Sequence, residues 1–96
     1  MSAEQDLARA LVFLEFEKLE QGEKALIKAI DNAEEEDDTQ TLVSAMCCLG
    51  DLLYSLERDD EAKLWLEKVI DHKGDDPDPE LSEEFAMAEE FLANLK

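Results

Sequence analysis

The side chains best suited to chemistry in this sequence are two cysteines, one histidine and many carboxylates. Cys47 and Cys48 are adjacent within a segment of helical periodicity, and His72 is the single histidine. Neighbouring residues on a helix point about 100° apart, so these two cysteines cannot pair with each other without breaking the helix. The sequence therefore predicts two reduced thiols, which are typical of a cytoplasmic protein.

These residues do not form a recognisable catalytic or metal-binding pattern. A cysteine nucleophile would require one thiol to meet His72, and core packing is the commoner use of such cysteines. One histidine and one cysteine pair give no tetrahedral ligand set. The acid-dense segment 75–80 lacks the spaced ligands and glycine of a calcium loop, and no glycine-rich phosphate loop is present. We therefore expect a non-enzyme with no catalytic residues, metal or cofactor.

The helical periodicity of the apolar residues predicts where the helices of the chain lie. It predicts a first helix that starts after Ser2 and is broken at Gly22, followed by helices over about 23–33, about 40–56 and from 59 towards Gly74. A last helix follows a proline-containing break at 75–79. The predicted N-caps are Ser2, Asp38 or Thr39, Asp59, and Asp78 with Pro79 at the first helical position.

The stretch 43–76 resembles a tetratricopeptide repeat, a 34-residue helix–turn–helix unit. The matching residues are Met46, Leu49, Gly50 and Leu53 on the first helix and Ala62, Leu66 and Val69 on the second. Gly50 and Ala62 would lie where the two helices cross closely, since a side chain there would hold the backbones apart. The turn at 57–62 lacks the glycine that the family commonly has there.

A weaker copy of the pattern lies 37 residues upstream. There Ala25 aligns with Ala62, but Phe13 stands in the place of Gly50. The resemblance implies a single all-α domain of about five helices, with two stacked tetratricopeptide-like hairpins and a C-terminal capping helix. The weak first repeat would span 1–36, the clear repeat 39–74 and the capping helix 79–96, because repeat stacks need a terminal helix with a polar outer side.

The charge balance restricts the partners. Twenty-seven acidic residues against nine basic ones give a net charge of −18. Such a surface repels nucleic acids and anionic membranes and attracts basic proteins. The longest apolar run, 10–14, is too short to span a membrane, and the start lacks the basic region of a signal peptide. We therefore expect a cytoplasmic protein.

The resemblance also implies a groove, lined by the first helix of each repeat, that binds a peptide or partner protein. By repeat position, the groove would include Leu7, Leu11, Leu14, Glu17, Ser44, Cys47, Asp51 and Tyr54. An apolar groove with acidic margins suits a basic or amphipathic segment, as in an adaptor or small chaperone. Alternatively, the fifth helix or a second copy of the chain fills this groove.

Two further hypotheses follow from charge and from the first helix. The protein is alternatively an acidic inhibitor, of the immunity type, that neutralises a basic enzyme or toxin. The first helix is apolar on two sides, with Leu7, Leu11 and Leu14 on one and Val12, Phe13 and Phe16 on the other. Because one neighbouring helix cannot cover both sides, the sequence also predicts a homodimer through this helix.

Overall fold

Five α-helices make up most of the described chain, which comprises residues 2–74 and 78–95 of a computed structural model. They are α1 (Ala3–Glu15), α2 (Leu19–Glu35), α3 (Thr39–Ser55), α4 (Asp59–Asp71) and α5 (Ser82–Asn94), and a 3-10 turn (Pro79–Leu81) leads into α5. No strand occurs in the described residues. The predicted all-α class with five helices is therefore confirmed. Residues 75–77 of the predicted proline-containing break lie outside the described residues. Position 96 of the predicted capping helix also lies outside them.

The chain divides into two compact units, Met1–Ala45 and Met46–Lys96. The first unit contains α1, α2 and the start of α3, and its buried apolar residues include Ala10, Leu26, Ala29, Ile30 and Ala33. The second contains the rest of α3, α4 and α5, and it buries Leu49, Leu53, Leu66, Val69 and Phe85. Each unit therefore has apolar side chains that are removed from water, which is the main term that stabilises it.

Three of the predicted helix N-caps are present. The Ser2 hydroxyl accepts from the Gln5 backbone N–H at 3.2 Å, and the Asp38 carboxylate accepts from that of Thr41 at 3.2 Å. Asp78 caps the 3-10 turn before α5 in the same way. Each bond satisfies one of the backbone donors that have no partner within the helix.

The prediction that Asp59 caps α4 is wrong. Arg58 occupies the N-cap position and makes no side-chain bond to the helix backbone. Its guanidinium instead pairs with Glu61, with Nε 2.6 Å from Oε2. Asp59 is the first helical residue, where its negative charge still interacts favourably with the helix dipole.

The links between the first four helices share one conformation. Glu17, Asp37 and Glu57, at 20-residue intervals, have φ of 60°, 55° and 62°. The backbone N–H of the residue that follows each of them donates to a carbonyl of the preceding helix. For example, the Lys18 N–H donates to the Phe13 carbonyl at 2.8 Å. These are helix-terminating motifs with a left-handed residue that is usually glycine. Equivalent links of the two hairpins are therefore 40 residues apart, whereas the core pattern of the weaker copy was aligned at an offset of 37 residues.

The prediction that Gly22 breaks the helical pattern is wrong. Gly22 lies buried inside α2. A methyl group added at Gly22 would come within 2.5 Å of Leu14 Cδ2 and 3.6 Å of the Ala10 carbonyl. The glycine therefore allows α2 to approach α1 closely. In the second hairpin Gly50 has the same relationship to Leu66, which confirms the predicted close packing around Gly50.

Candidate interaction surfaces

The predicted groove residues of the first unit remain at least partly accessible. Leu7 and Leu14 are half-buried on α1, whereas Leu11 is 46% exposed. Glu17 is exposed, but it belongs to the left-handed link after α1 rather than to the helix itself. Ser44, early in α3, is half-buried.

The predicted groove residues of the second unit are largely covered by α5. Cys47 is only 3% exposed, and its Sγ lies 3.7 Å from the Glu84 carbonyl and 3.7 Å from Met87 Sδ. The Tyr54 ring packs on Phe91, with centroids 5.1 Å apart. Cys47 is therefore not accessible to a partner, because the amphipathic α5 packs on this face of α3. This agrees with the alternative that the fifth helix fills the groove, and not with Cys47 as a partner-binding residue.

Asp51 also belongs to the predicted set and lies on the exposed part of α3. Its carboxyl pKa is raised above its ordinary value by desolvation. Within the described residues, Glu84 Oε2 is buried without a hydrogen-bond partner. A buried carboxylate oxygen without a partner disfavours further negative charge nearby.

Both thiols lie in this acidic environment. Burial, followed by the neighbouring Cys48, Glu84 and Asp51, raises the pKa of Cys47 to about 12. Burial and the same two carboxylates also raise the pKa of Cys48. Because the thiolate is the reactive form, both cysteines are poor nucleophiles near neutral pH.

The solvent-facing side of α1 carries a set of exposed apolar residues that we call the α1 outer strip. It consists of Ala8, Leu11, Val12 and Phe16, where Phe16 follows the last helical residue. Val12 is 51% exposed and Phe16 is 69% exposed. Ala8, Val12 and Phe16 follow i, i+4 spacing, so their side chains are neighbours along one face. The exposed acids Glu4, Glu15, Glu17 and Glu20 are close to the strip in sequence.

A second surface, which we call the α1–α2 groove, opens between the first two helices. It has a volume of about 260 Å³ and is lined by Asp6, Arg9 and Phe13 of α1 and by Gln21, Lys24, Ala25 and Lys28 of α2. Sequence reasoning missed this surface, because its basic residues are scattered in sequence and meet only when α1 and α2 pack as an antiparallel hairpin.

Among residues 2–74 and 78–95, no three His, Cys, Asp or Glu side chains are grouped so that they could hold a metal ion. None of the helices in these ranges combines the length and the apolar character needed to cross a membrane.

Comparison of the chain with protein-family models, with curated protein sequences and with solved structures returned no match.

Proposed function

We propose that the protein is a non-catalytic interaction module, of tetratricopeptide-like architecture, that acts as an adaptor. The α1 outer strip binds an amphipathic basic segment of a partner protein. The observation that carries this proposal is the exposure of Leu11, Val12 and Phe16, at 46%, 51% and 69%, on α1 and at its C-cap, while the helix itself buries only small or polar residues. Large apolar side chains that are adjacent and exposed commonly mark interaction surfaces.

The chemistry of the partner follows from the surroundings of the strip. Glu4, Glu15, Glu17 and Glu20 are exposed and near it in sequence, and the chain as a whole carries a charge of −18. A partner helix with leucines on one face and lysines or arginines at its edges would bury apolar area and pair with these carboxylates. Binding therefore depends on the apolar strip for affinity and on the acids for rapid, selective association.

Because α5 covers the face of α3 that carries Cys47 and Tyr54, the proposed site lies on α1. Cys47 and Tyr54, which the repeat resemblance would place in a groove, contact Glu84, Met87 and Phe91 of α5. The raised pKa of Cys47, to about 12, supports a role that does not use the thiol as a nucleophile.

The alternative function, an acidic inhibitor of a basic enzyme, has no comparable local support. Exposed carboxylates are distributed over all five helices of the described chain, so their positions favour no one surface. This alternative makes a different prediction about salt. Binding dominated by charge weakens steeply as ionic strength rises, whereas binding through the apolar strip retains most of its affinity.

The proposal can be tested with a synthetic helical peptide that has leucines on one face and lysines on the other. Fluorescence anisotropy would measure its affinity for the wild type and for Val12→Ser/Phe16→Ser, which removes exposed apolar groups without changing the charge. The matched control is Leu64→Ser/Met87→Ser, since these residues are 53% and 41% exposed and lie on α4 and α5.

We expect the strip variant to lose about tenfold or more in affinity, because interface energy is concentrated in a few large side chains. We expect the control variant to bind as the wild type does, at low salt and at physiological salt. Equal losses in the two variants, or no loss in either, would overturn the proposal.

A further inference from the structure

We propose that the α1–α2 groove is a second binding site, for a short acidic segment of another protein. One apolar side chain of that segment enters the groove, and the carboxylates beside it pair with the cations at the groove edge. This inference uses residues other than the α1 outer strip and does not depend on the proposed function of that strip.

The size of the groove indicates what enters it. Its volume of about 260 Å³ is below the roughly 300–1,000 Å³ that is usual for sites that enclose a small molecule. Phe13 from α1 and Ala25 from α2, both half-buried, give the groove apolar walls. A space of this size and lining suits one leucine-sized or phenylalanine-sized side chain of a peptide that lies across the surface.

The charge of the groove is opposite to that of the chain. Arg9 comes from α1, and Lys24 and Lys28 come from successive turns of α2. These are three of the nine basic residues in a chain whose net charge is −18. Among the described residues that line the groove, Asp6 supplies the one carboxylate. The groove is therefore a local basic surface on an acidic protein.

The acidic groups near these cations leave the lysines able to pair with a ligand. Asp6 is buried and its carboxylate accepts a hydrogen bond from the Asn32 side-chain amide at 2.5 Å, which satisfies part of its bonding capacity within the hairpin. Lys24 pairs with Glu20 at 3.9 Å, but both side chains are highly exposed. Exposed pairs of this kind contribute little and exchange readily for a better partner.

Charge complementarity selects a short acidic segment over other occupants. At physiological ionic strength, charges further away than about 8 Å are largely screened, so a ligand in the groove experiences mainly the cations Arg9, Lys24 and Lys28, together with Asp6, which lines the groove, and Glu20, which pairs with Lys24. A long polyanion such as a nucleic acid would extend beyond them over acidic surface and be repelled. A basic segment would place like charges together, which is unfavourable.

The probe for this site is a fluorescent, acetylated and amidated hexapeptide with one leucine flanked by glutamates. Its matched counterpart has glutamine in place of every glutamate. The test variant is Lys24→Glu/Lys28→Glu. The control variant is Lys63→Glu/Lys68→Glu, which changes the net charge by the same amount on exposed positions of α4. Circular dichroism establishes that each variant is folded.

We expect Lys24→Glu/Lys28→Glu to lose about tenfold in affinity for the acidic peptide, since it reverses two exposed charges beside the ligand. We expect the α4 control and Val12→Ser/Phe16→Ser to bind this peptide as the wild type does. The glutamine peptide is expected to bind more weakly than the glutamate peptide.

Three results would overturn the inference. Equal losses in the α2 and α4 charge variants would show a general charge effect. Equal affinity for the glutamine peptide would show that the cations play no part. A loss of acidic-peptide binding in the strip variant would place the peptide on α1's outer face. If the acidic peptide gives the expected results but the basic amphipathic peptide does not bind, the proposed function alone is contradicted.

Discussion

Gly50 of α3 lies against Leu66 of α4 at a distance that leaves no room for a side chain. A methyl group at Gly50 would come within 2.6 Å of Leu66 Cδ2, and Leu66 is fully buried. The first hairpin has the same arrangement between Gly22 and Leu14, but Leu14 is half-exposed. The two glycines therefore differ in how easily the opposing leucine can move.

The substitutions Gly50→Ala and Gly22→Ala test this difference. Alanine improves helix propensity by about 1 kcal/mol at either position, whereas forcing a methyl group into a packed core costs roughly 1–3 kcal/mol. We expect Gly50→Ala to lower the free energy of unfolding by about 1–2 kcal/mol more than Gly22→Ala, because Leu14 can shift towards solvent. Urea unfolding followed by circular dichroism measures both. A loss at Gly22 as large as that at Gly50 would contradict this account.

Glycine at the third helix link should stabilise the protein. Glu57 has φ of 62°, and a non-glycine residue in the left-handed region is less stable there by roughly 1 kcal/mol. We expect Glu57→Gly to raise the free energy of unfolding by about that amount. The matched control is Glu67→Gly, an exposed interior position of α4, which should lower it by about 1 kcal/mol. Destabilisation by Glu57→Gly would show that the link depends on the glutamate side chain.

The buried thiol predicts how stability changes at alkaline pH. Cys47 ionises near its ordinary pKa of 9.0 in the unfolded chain but at about 12 in the folded protein, mainly because of burial. Between these values the unfolded state binds fewer protons than the folded state, so this contribution to stability is complete below pH 9 and is lost as pH rises towards 12.

Chemical denaturation of the wild type and Cys47→Ala at pH 8 and pH 10.5 isolates this effect. All titratable groups other than Cys47 are the same in both proteins. We expect the wild type to lose more stability than Cys47→Ala between the two pH values. The same loss in both proteins would mean that the Cys47 thiol ionises in the folded state as easily as in the unfolded chain.

Much of the helical architecture was predictable because it depends on local pattern. The periodicity of residues such as Leu49 and Leu53 predicted α3 within a residue at each end. Residue type and spacing predicted Ser2 as a cap, and Asp38 as one of two candidates for another. Gly22 was mistaken for a helix break, because glycine is also required where two helices approach closely. The left-handed links gave no signal, since Glu17 and Glu57 are not residues that favour this conformation.

The interaction surfaces were only partly predictable, because they depend on packing between distant segments. The apolar residues on two sides of α1 were identified from sequence, and Val12 and Phe16 are indeed exposed. The covering of Cys47 by α5 was one of the alternatives for the groove, and the sequence did not decide between them, because the contact joins residues about 40 positions apart. The α1–α2 groove likewise requires Arg9 and Lys28 to be brought together by an antiparallel hairpin, which no local pattern indicates.

The α1 outer strip also underlies the prediction of self-association. Two copies that carry −18 each repel one another, and added salt screens that repulsion while it leaves apolar burial intact. We expect the weight-average mass in sedimentation equilibrium to rise from 10.9 kDa towards that of a dimer as NaCl increases. Val12→Ser/Phe16→Ser should remain monomeric throughout. A wild-type monomer at every salt concentration would contradict the dimer and leave the strip available to a different protein.

The most direct test of the account is an NMR titration of the isotopically labelled protein with the basic amphipathic peptide, at physiological salt. The central claim is that the partner binds α1, so the backbone amide signals of Ala8, Leu11, Val12 and Phe16 should shift most. Signals of α4 and α5 should change little, although those helices also carry many exposed acids. Shifts that are spread evenly over the acidic surface, or centred on α4 and α5, would contradict the claim.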